Sequence, residues 1–138
     1  MSRGHVFTLR VYYEDTDLAG IVYYANYLRF IERARSEALR SLGVDQRALK
    51  AGQGLVFVVR GLTAEYLRPA LYDDVLTVET RLHALKRASV SLDQHVLREG
   101  EPLFVSTVRL AMMDASGRPA RIPDDIAGAL GQLGTPAD

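Results

Sequence analysis

The feature that most limits the fold is a long amphipathic segment between residues 26 and 43. Apolar side chains recur in it at three- and four-residue spacing, with charged and polar side chains between them, and these apolar positions are Tyr27, Phe30, Ile31, Ala34, Ala38, Leu39 and Leu42. Such spacing predicts one helix of about 18 residues, or about 27 Å. We expect Asn26 to cap its start and Gly43 to end it.

The segments around this helix have the character of strands. Residues 6–13 are rich in β-branched and aromatic types, and beyond a polar stretch at 45–54 the same character marks 55–67, 74–85, 88–98 and 103–113. Residues 99–102 form the turn before the last strand, and Asp124 and Asp125 behind Pro123 are expected to open a short helix. Because no repeat or linker divides the chain, residues 1–138 are predicted to form a single domain, with the last ~10 residues loose.

Alternation in the two middle strands predicts how they pair. One face is apolar and carries Leu76, Val78, Leu82 and Ala84, then Val90, Leu92 and Val96 on the next strand. The opposite face is polar and carries Thr77, Glu79, Arg81, His83, Ser89, Ser91, Asp93 and His95. Antiparallel pairing with one dry and one wet face explains this pattern. The predicted class is α+β, an antiparallel five-stranded sheet wrapped around one long central helix. Since one helix cannot cover such a sheet, self-association is expected.

Composition excludes several kinds of site. The chain has no cysteine, which excludes disulfides, cysteine nucleophiles and thiolate metal sites and suits a reducing compartment. Its 17 basic and 17 acidic residues balance, so no global charge attracts nucleic acid or an anionic membrane. No stretch approaches the ~20 apolar residues of a membrane span, and the N-terminus lacks a signal-peptide pattern, so a cytoplasmic location is expected. The three histidines have neither metal-ligand spacing nor a nearby serine nucleophile, and we expect no metal and no cofactor.

The polar segment 14–20 carries the best candidate for chemistry. It begins like a calcium loop, but Ala19 and Asn26 stand where the fifth and twelfth places of that loop need oxygen ligands and a bidentate glutamate. One interpretation is a tight turn in which Asp15 and Asp17 accept hydrogen bonds from neighbouring amides. The other is a reactive Asp17 beside the free N–H groups of the helix start, which would stabilise the oxyanion of a thioester or ester carbonyl. Asp17 would then act as a nucleophile or as a general base.

A second candidate lies at the bend between the two alternating strands. Lys86, Arg87 and Ser89 occupy a bend that no Gly, Pro, Asn or Asp marks as a turn. Two cations beside a hydroxyl suit a phosphate or pyrophosphate. The alternative is a pair of solubilising charges at the tip of a hairpin.

The segment 13–27, YEDTDLAGIVYYANY, closely resembles the signature of the 4-hydroxybenzoyl-CoA thioesterase family. The resemblance continues through Phe30, Glu32, Arg33 and Ala34 and then through 57–60, 65–66, 69–70 and 73–74, so that it covers about residues 5 to 125. Within the family, the chain looks most like the acyl-CoA thioesterases encoded beside the Tol–Pal envelope system.

This resemblance implies a hotdog fold, dimers whose sheets run continuously, and often homotetramers. It implies hydrolysis of an acyl-CoA, or of an acyl-carrier-protein thioester, to the free acid. The catalytic carboxylate of the family falls on Asp17, and its oxyanion donor, a main-chain N–H, falls on Tyr24. The residues that contact phosphate fall on Lys86, Arg87 and Ser89. Close relatives often carry histidine where this chain has Tyr24, so a role for an imidazole does not transfer.

Two other functions remain open at this stage. An enoyl-thioester hydratase or dehydratase on the same fold would need an acid–base pair, typically with histidine, and no histidine lies near Asp17 in the sequence. A non-catalytic acyl-CoA or acyl-carrier-protein binding protein, or an envelope-associated scaffold, would gain little from a carboxylate aimed at the thioester. The sequence leaves open the acyl chain, the choice between dimer and tetramer, and whether Asp17 is nucleophile or base.

Overall fold

A computed structural model describes residues 4–134 of the 138-residue chain. Its main elements are β1 (His5–Arg10), α1 (Asn26–Ser41), α2 (Gln46–Gln53), β2 (Val56–Tyr66), β3 (Val75–Leu85), β4 (Ser89–Arg98), β5 (Glu101–Met113) and α3 (Asp124–Leu130). The strands form one antiparallel sheet in the order β1-β3-β4-β5-β2. The α+β class and the five-stranded sheet are therefore confirmed. Residues 4–134 contain three α-helices, of which α1 and α3 were predicted, and the first strand is shorter than predicted because residues 13–15 form a 3-10 turn.

The long helix packs one face against the sheet. α1 has 16 residues, and its apolar stripe is buried as predicted at Tyr27, Phe30, Ile31, Ala34, Ala38 and Leu39. Gly43 follows the helix with φ +82°, a left-handed conformation that suits glycine. The prediction that Asn26 caps the helix is wrong. Asn26 is the first helical residue and Ala25 occupies the cap position, because the Asn26 amide hydrogen-bonds elsewhere.

The polar stretch 45–54 folds into α2, a helix that was not predicted. Asp45 caps its start, accepting a hydrogen bond from Ala48 N–H at 3.0 Å, and Gly54 ends it with φ +68°. Leu49 is the residue of this helix that is buried. An apolar face this narrow leaves little periodic signal in the sequence.

The dry face of the sheet lies under α1, and most of its residues were predicted. Ala84 is an exception, since an irregularity after Leu82 pairs Ala84 with Ser91 of the polar face. The face also contains a fully buried amide, Gln94, whose Nε2 donates to the Ile31 carbonyl at 2.9 Å. Its Oε1 accepts from Arg35 at 2.8 Å, and burial lowers the pKa of Arg35. The helix is thus tied to the sheet by polar as well as apolar contacts.

The C-terminal part is more ordered than predicted. α3 begins at Asp124 as expected, and Leu130 and Leu133 are 0% and 2% exposed, so the chain is packed as far as Gly134. The rest of the predicted loose end, 135–138, lies outside the described residues. Within 4–134 no helix is long and apolar enough to cross a bilayer.

The outermost strand β2 leaves one edge of the sheet uncovered. Its partner on one side is β5, and no strand of the described chain pairs with its other side. Several of its large apolar side chains are exposed, at Val58, Val59, Leu62 and Tyr66. An edge of this length and composition is available for pairing with another chain.

Candidate active site

The residues between β1 and α1 fold into a small hairpin with Asp17 at its tip. Asp17 N–H donates to the Ile21 carbonyl at 2.9 Å, Thr16 and Val22 form a bridge, and Tyr23 N–H donates to the Asp15 carbonyl at 2.9 Å. The chain reverses between Asp17 and Gly20, where Gly20 has φ +81°. The motif that carried the family resemblance is therefore a compact unit, and we call residues 15–23 the catalytic hairpin after the role predicted for Asp17.

The segment before β3 holds this hairpin in place. Val22 N–H donates to the Ala70 carbonyl at 2.9 Å, and Ile21 forms a bridge with Leu71. Asp74 braces the segment, since its Oδ2 accepts from Leu71 N–H at 2.8 Å and from Arg98 at 2.8 Å. The hydrogen bond to Asp74 raises the pKa of Arg98. The catalytic hairpin thus lies at the end of the sheet where β3 begins and β4 ends.

The two acids of the hairpin have different surroundings. Asp15 is 8% exposed, and its carboxylate accepts from Tyr12 N–H at 2.8 Å and from Asn26 Nδ2 at 2.7 Å. Asp17 is exposed, and its Oδ1 accepts from Ala19 N–H at 2.9 Å. No hydrogen bond to Asp17 Oδ2 comes from the part of the chain that the structure describes. Both acids therefore bond neighbouring amides, as the tight-turn interpretation predicted, and Asp17 keeps one oxygen accessible for chemistry.

Tyr24 follows the catalytic hairpin and precedes α1. Among residues 4–134 no acceptor pairs with its backbone N–H or with that of Ala25, whereas the N–H groups of Tyr23 and Asn26 are bonded. Its carbonyl accepts from the Tyr66 hydroxyl at 2.8 Å. Burial, and secondarily the nearby Tyr24, raise the pKa of Tyr66 above its usual 10.0, so this hydroxyl is a neutral donor at physiological pH. The Tyr24 N–H itself belongs to the same peptide as the Tyr23 carbonyl, which accepts from Asn26 N–H at 2.8 Å. A fixed peptide with a free N–H is what an oxyanion site requires.

The bend after β3 forms a turn that carries exposed cations. Lys86 N–H donates to the Ser89 carbonyl at 2.8 Å and closes the turn, and Ile122 N–H donates to the Arg87 carbonyl at 2.8 Å. The second bond brings Arg121 to the same surface depression, of about 450 Å³, which Lys86 and Arg87 also line. Arg121 pairs with Asp124 at 2.8 Å and leaves 62% of its side chain exposed. We call Lys86, Arg87 and Arg121 the cationic cluster.

Sequence reasoning missed Arg121 because no local pattern connects residue 121 with residue 87. The available signal was that Arg121 lies shortly before the predicted short helix. This signal places residue 121 in the chain, but it does not show which other segment residue 121 packs against.

Within one chain the structure does not bring the two candidate regions together. The catalytic hairpin lies at the start of β3 and the cationic cluster at its end. β3 has 11 residues, and at about 3.4 Å per residue it is about 37 Å long.

The histidines lie away from the catalytic hairpin. His83 Nδ1 is 3.0 Å from Asp93 Oδ2 on the polar face of the sheet, His95 lies on that face too, and His5 belongs to β1. No group of three His, Asp or Glu side chains in the described range 4–134 could hold a metal ion.

Comparison with known proteins identifies the family of the chain. The thioesterase-like superfamily matches residues 11–130. The acyl-CoA thioesterase YbgC of Haemophilus influenzae is 40% identical over 134 residues, which cover 96% of this chain and 98% of that protein. The crystal structure of a probable thioesterase from Bartonella henselae is 40% identical, has a TM-score of 0.83, and is matched over 87% of this chain and 99% of that one.

A solved 4-hydroxybenzoyl CoA thioesterase shares the fold at lower identity. It superimposes with a TM-score of 0.87 at 24% identity, over 94% of this chain and 99% of its own. The chain therefore belongs to the thioesterase-like superfamily, and it is a thioester hydrolase with the hotdog fold that segment 13–27 predicted.

Proposed function

We propose that the chain is an acyl-CoA thioesterase, which hydrolyses an acyl-CoA to a free acid and CoA. The observation that carries the proposal is the free Tyr24 N–H beside the hairpin on which Asp17 is exposed. The relative from Haemophilus influenzae, named an acyl-CoA thioesterase, supports the substrate class. A cytoplasmic location, expected from the sequence, is part of the proposal.

Asp17 supplies the group that attacks or activates the attacking water. As a nucleophile, its carboxylate adds to the thioester carbonyl carbon, the CoA thiolate leaves, and water then hydrolyses the acyl-aspartyl anhydride. As a general base, the Asp17 carboxylate takes a proton from a water molecule. The oxygen of that water adds to the same carbonyl carbon, and the CoA thiolate leaves. In both routes the carbonyl oxygen becomes negative, and Tyr24 N–H donates to it.

The cationic cluster supplies affinity for CoA. Lys86 and Arg87, with the Ser89 hydroxyl, are proposed to bind its phosphates, as the family resemblance implies. Arg121 adds a third cation on the same depression. Charge-assisted hydrogen bonds to phosphate favour a group of cations of this kind.

A second copy of the chain is proposed to complete the site. The catalytic hairpin and the cationic cluster lie at opposite ends of β3, and the β2 edge is long, apolar and unpaired within the described chain. Antiparallel pairing of two β2 edges about a two-fold axis puts the β3 start of one copy at the same sheet end as the β3 finish of the other. We propose that Asp17 of one copy serves CoA bound by the cationic cluster of its partner, in a dimer or in a tetramer of such dimers.

Thiol release from a panel of acyl-CoAs tests the function. The panel varies in chain length and includes aromatic acyl groups, and acyl-carrier-protein thioesters are assayed beside it. Turnover of at least one acyl-CoA, lost in Asp17→Asn, is expected. A protein that binds acyl-CoA without releasing thiol would instead be the binding or scaffold protein. Hydration of an enoyl-CoA without thiol release would indicate the hydratase.

Mixed assemblies test the proposed second copy. Asp17→Asn chains and Lys86→Ala/Arg87→Ala chains are co-expressed with different tags, and the mixed assembly is purified. If the site is shared, each mixed dimer has one intact site, so KM should match the wild type and kcat should be about half. If Asp17 and the cations of one chain serve the same site, the mixed dimer shows the raised KM of the cation variant. Light scattering that gives a stable monomer would also contradict the shared site.

A further inference from the structure

A buried hydrogen bond between two side chains lies directly behind the catalytic hairpin. Asn26 Nδ2 donates to Asp15 Oδ1 at 2.7 Å, and the two residues are 7% and 8% exposed. Neither residue is assigned a part in the hydrolysis proposed above. Burying a carboxylate and an amide costs free energy unless they are paired, and here each is the hydrogen-bond partner of the other.

This hydrogen bond closes a ring around the oxyanion donor. Tyr23 N–H donates to the Asp15 carbonyl at 2.9 Å, and Asn26 N–H donates to the Tyr23 carbonyl at 2.8 Å. With the bond from Asn26 Nδ2 to Asp15 Oδ1, these contacts hold both ends of the short backbone segment that contains Tyr24. The direction of the Tyr24 N–H is therefore fixed from its two sides.

The same carboxylate also holds the other side of the hairpin. Asp15 Oδ2 accepts from Tyr12 N–H at 2.8 Å, at the point where the chain leaves β1. Asp17 lies two positions after Asp15. One side chain thus joins the segment that precedes Asp17 to the first residue of α1. A carboxylate suits this place because its two oxygens can accept from both Tyr12 N–H and Asn26 Nδ2. An amide at position 15 has only one oxygen that can accept.

We propose that Asp15 and Asn26 are positioning residues, which hold the Tyr24 N–H and the Asp17 carboxylate at the spacing that hydrolysis requires. The proposal rests on the function proposed above. Neither residue touches the substrate, and both act through the backbone of the residues that do.

An exchange of the two side chains tests the proposal. Made singly, Asp15→Asn leaves one acceptor oxygen at position 15 for two donors, Tyr12 N–H and Asn26 Nδ2, and Asn26→Asp places carboxylate against carboxylate. Each should lower kcat about tenfold. KM should change much less, because the cationic cluster is untouched. In the double variant the new amide at position 15 can accept from Tyr12 N–H and donate to the new carboxylate at position 26. Its kcat should return to within about threefold of the wild type.

The exchange variant tests the positioning role even if a single variant does not fold. An exchange variant that melts like the wild type but has the low kcat of the single variants would overturn the positioning role. So would single variants that fold and keep the wild-type kcat. If every variant lowers kcat only in proportion to its loss of folded protein, measured by circular dichroism, the hydrogen bond is structural and the proposal is wrong.

Asp45→Ala is the matched control. Asp45 also accepts a backbone hydrogen bond, from Ala48 N–H at 3.0 Å, but it caps α2 rather than the catalytic hairpin. The control should lower Tm and leave kcat and KM unchanged. Wild-type enzyme and Asp17→Asn, measured in the same assay, distinguish failure of the proposed hydrolysis from failure of the positioning role. A wild type without turnover removes the proposed function, whereas an active wild type with fully active single variants removes the positioning role alone.

Discussion

The catalytic hairpin and the cationic cluster differ in what holds their functional groups. In the hairpin, backbone hydrogen bonds and the buried Asp15 fix the main chain around Asp17 and Tyr24. In the cluster, backbone bonds fix the turn, but the side chains of Lys86 and Arg87 extend into solvent. A group that must meet a developing charge gains from being fixed beforehand, while cations that bind a flexible phosphate can adapt to it.

This difference separates two kinds of kinetic effect. Interactions formed with the reacting carbonyl strengthen in the transition state, so their loss should appear in kcat. Phosphates are bound alike in the ground state and the transition state, so loss of a cation should appear in KM. Substitutions in the catalytic hairpin should therefore lower kcat, and substitutions in the cationic cluster should raise KM.

The largest effect is expected from Asp17→Asn. The amide keeps the size of the side chain and its hydrogen bond to Ala19 N–H, but it can neither attack nor take a proton. We expect kcat to fall by at least ~100-fold with folding intact, measured by thiol release and circular dichroism. Asp15→Asn should lose much less. Equal losses in the two variants would show that Asp17 has no special role.

The cationic cluster should affect KM instead. Lys86→Ala/Arg87→Ala should raise KM for acyl-CoA about tenfold and change kcat little. The effect should shrink for a truncated acyl thioester that lacks the nucleotide, and it should weaken in high salt, where such contacts are screened. A double variant that treats full and truncated thioesters alike would mean that these side chains are solubilising charges.

The sequence predicted those parts of this contrast that depend on local pattern. Helical periodicity located α1, and the D-x-D segment located the hairpin. The sequence did not predict which of Asp15 and Asp17 would be buried, because the burial depends on Tyr12 and Asn26, which lie on either side of the motif. Ala84 was assigned to the wrong face because a local irregularity in strand pairing leaves no mark in the alternation. Contacts between distant segments, such as the one that brings Arg121 to Arg87, were likewise beyond the pattern.

Arg121→Ala should have a smaller effect in the same direction as the loss of Lys86 and Arg87. Its guanidinium is already paired with Asp124 at 2.8 Å, so part of its charge is neutralised before CoA binds. We expect KM to rise about threefold, with kcat unchanged. Asp124→Asn is the matched control, because it frees the guanidinium and should lower KM slightly. Opposite responses of the two variants support a role for Arg121 in binding, and a KM that neither variant changes places it outside the CoA site.

The smallest effect is expected at Tyr24, although the residue directly follows the catalytic hairpin. Its proposed contribution is a main-chain N–H, which every non-proline residue supplies. Tyr24→Phe keeps the ring that packs 5.0 Å from Tyr23 and 6.3 Å from Tyr66, and it keeps the carbonyl that accepts from the Tyr66 hydroxyl. We therefore expect kcat and KM to remain within about twofold of the wild type. Tyr24→His, which introduces the residue that the family resemblance leads us to expect at this position, should also fold and remain active. A loss of tenfold or more in Tyr24→Phe would mean that the phenol hydroxyl, rather than the backbone alone, takes part in the reaction.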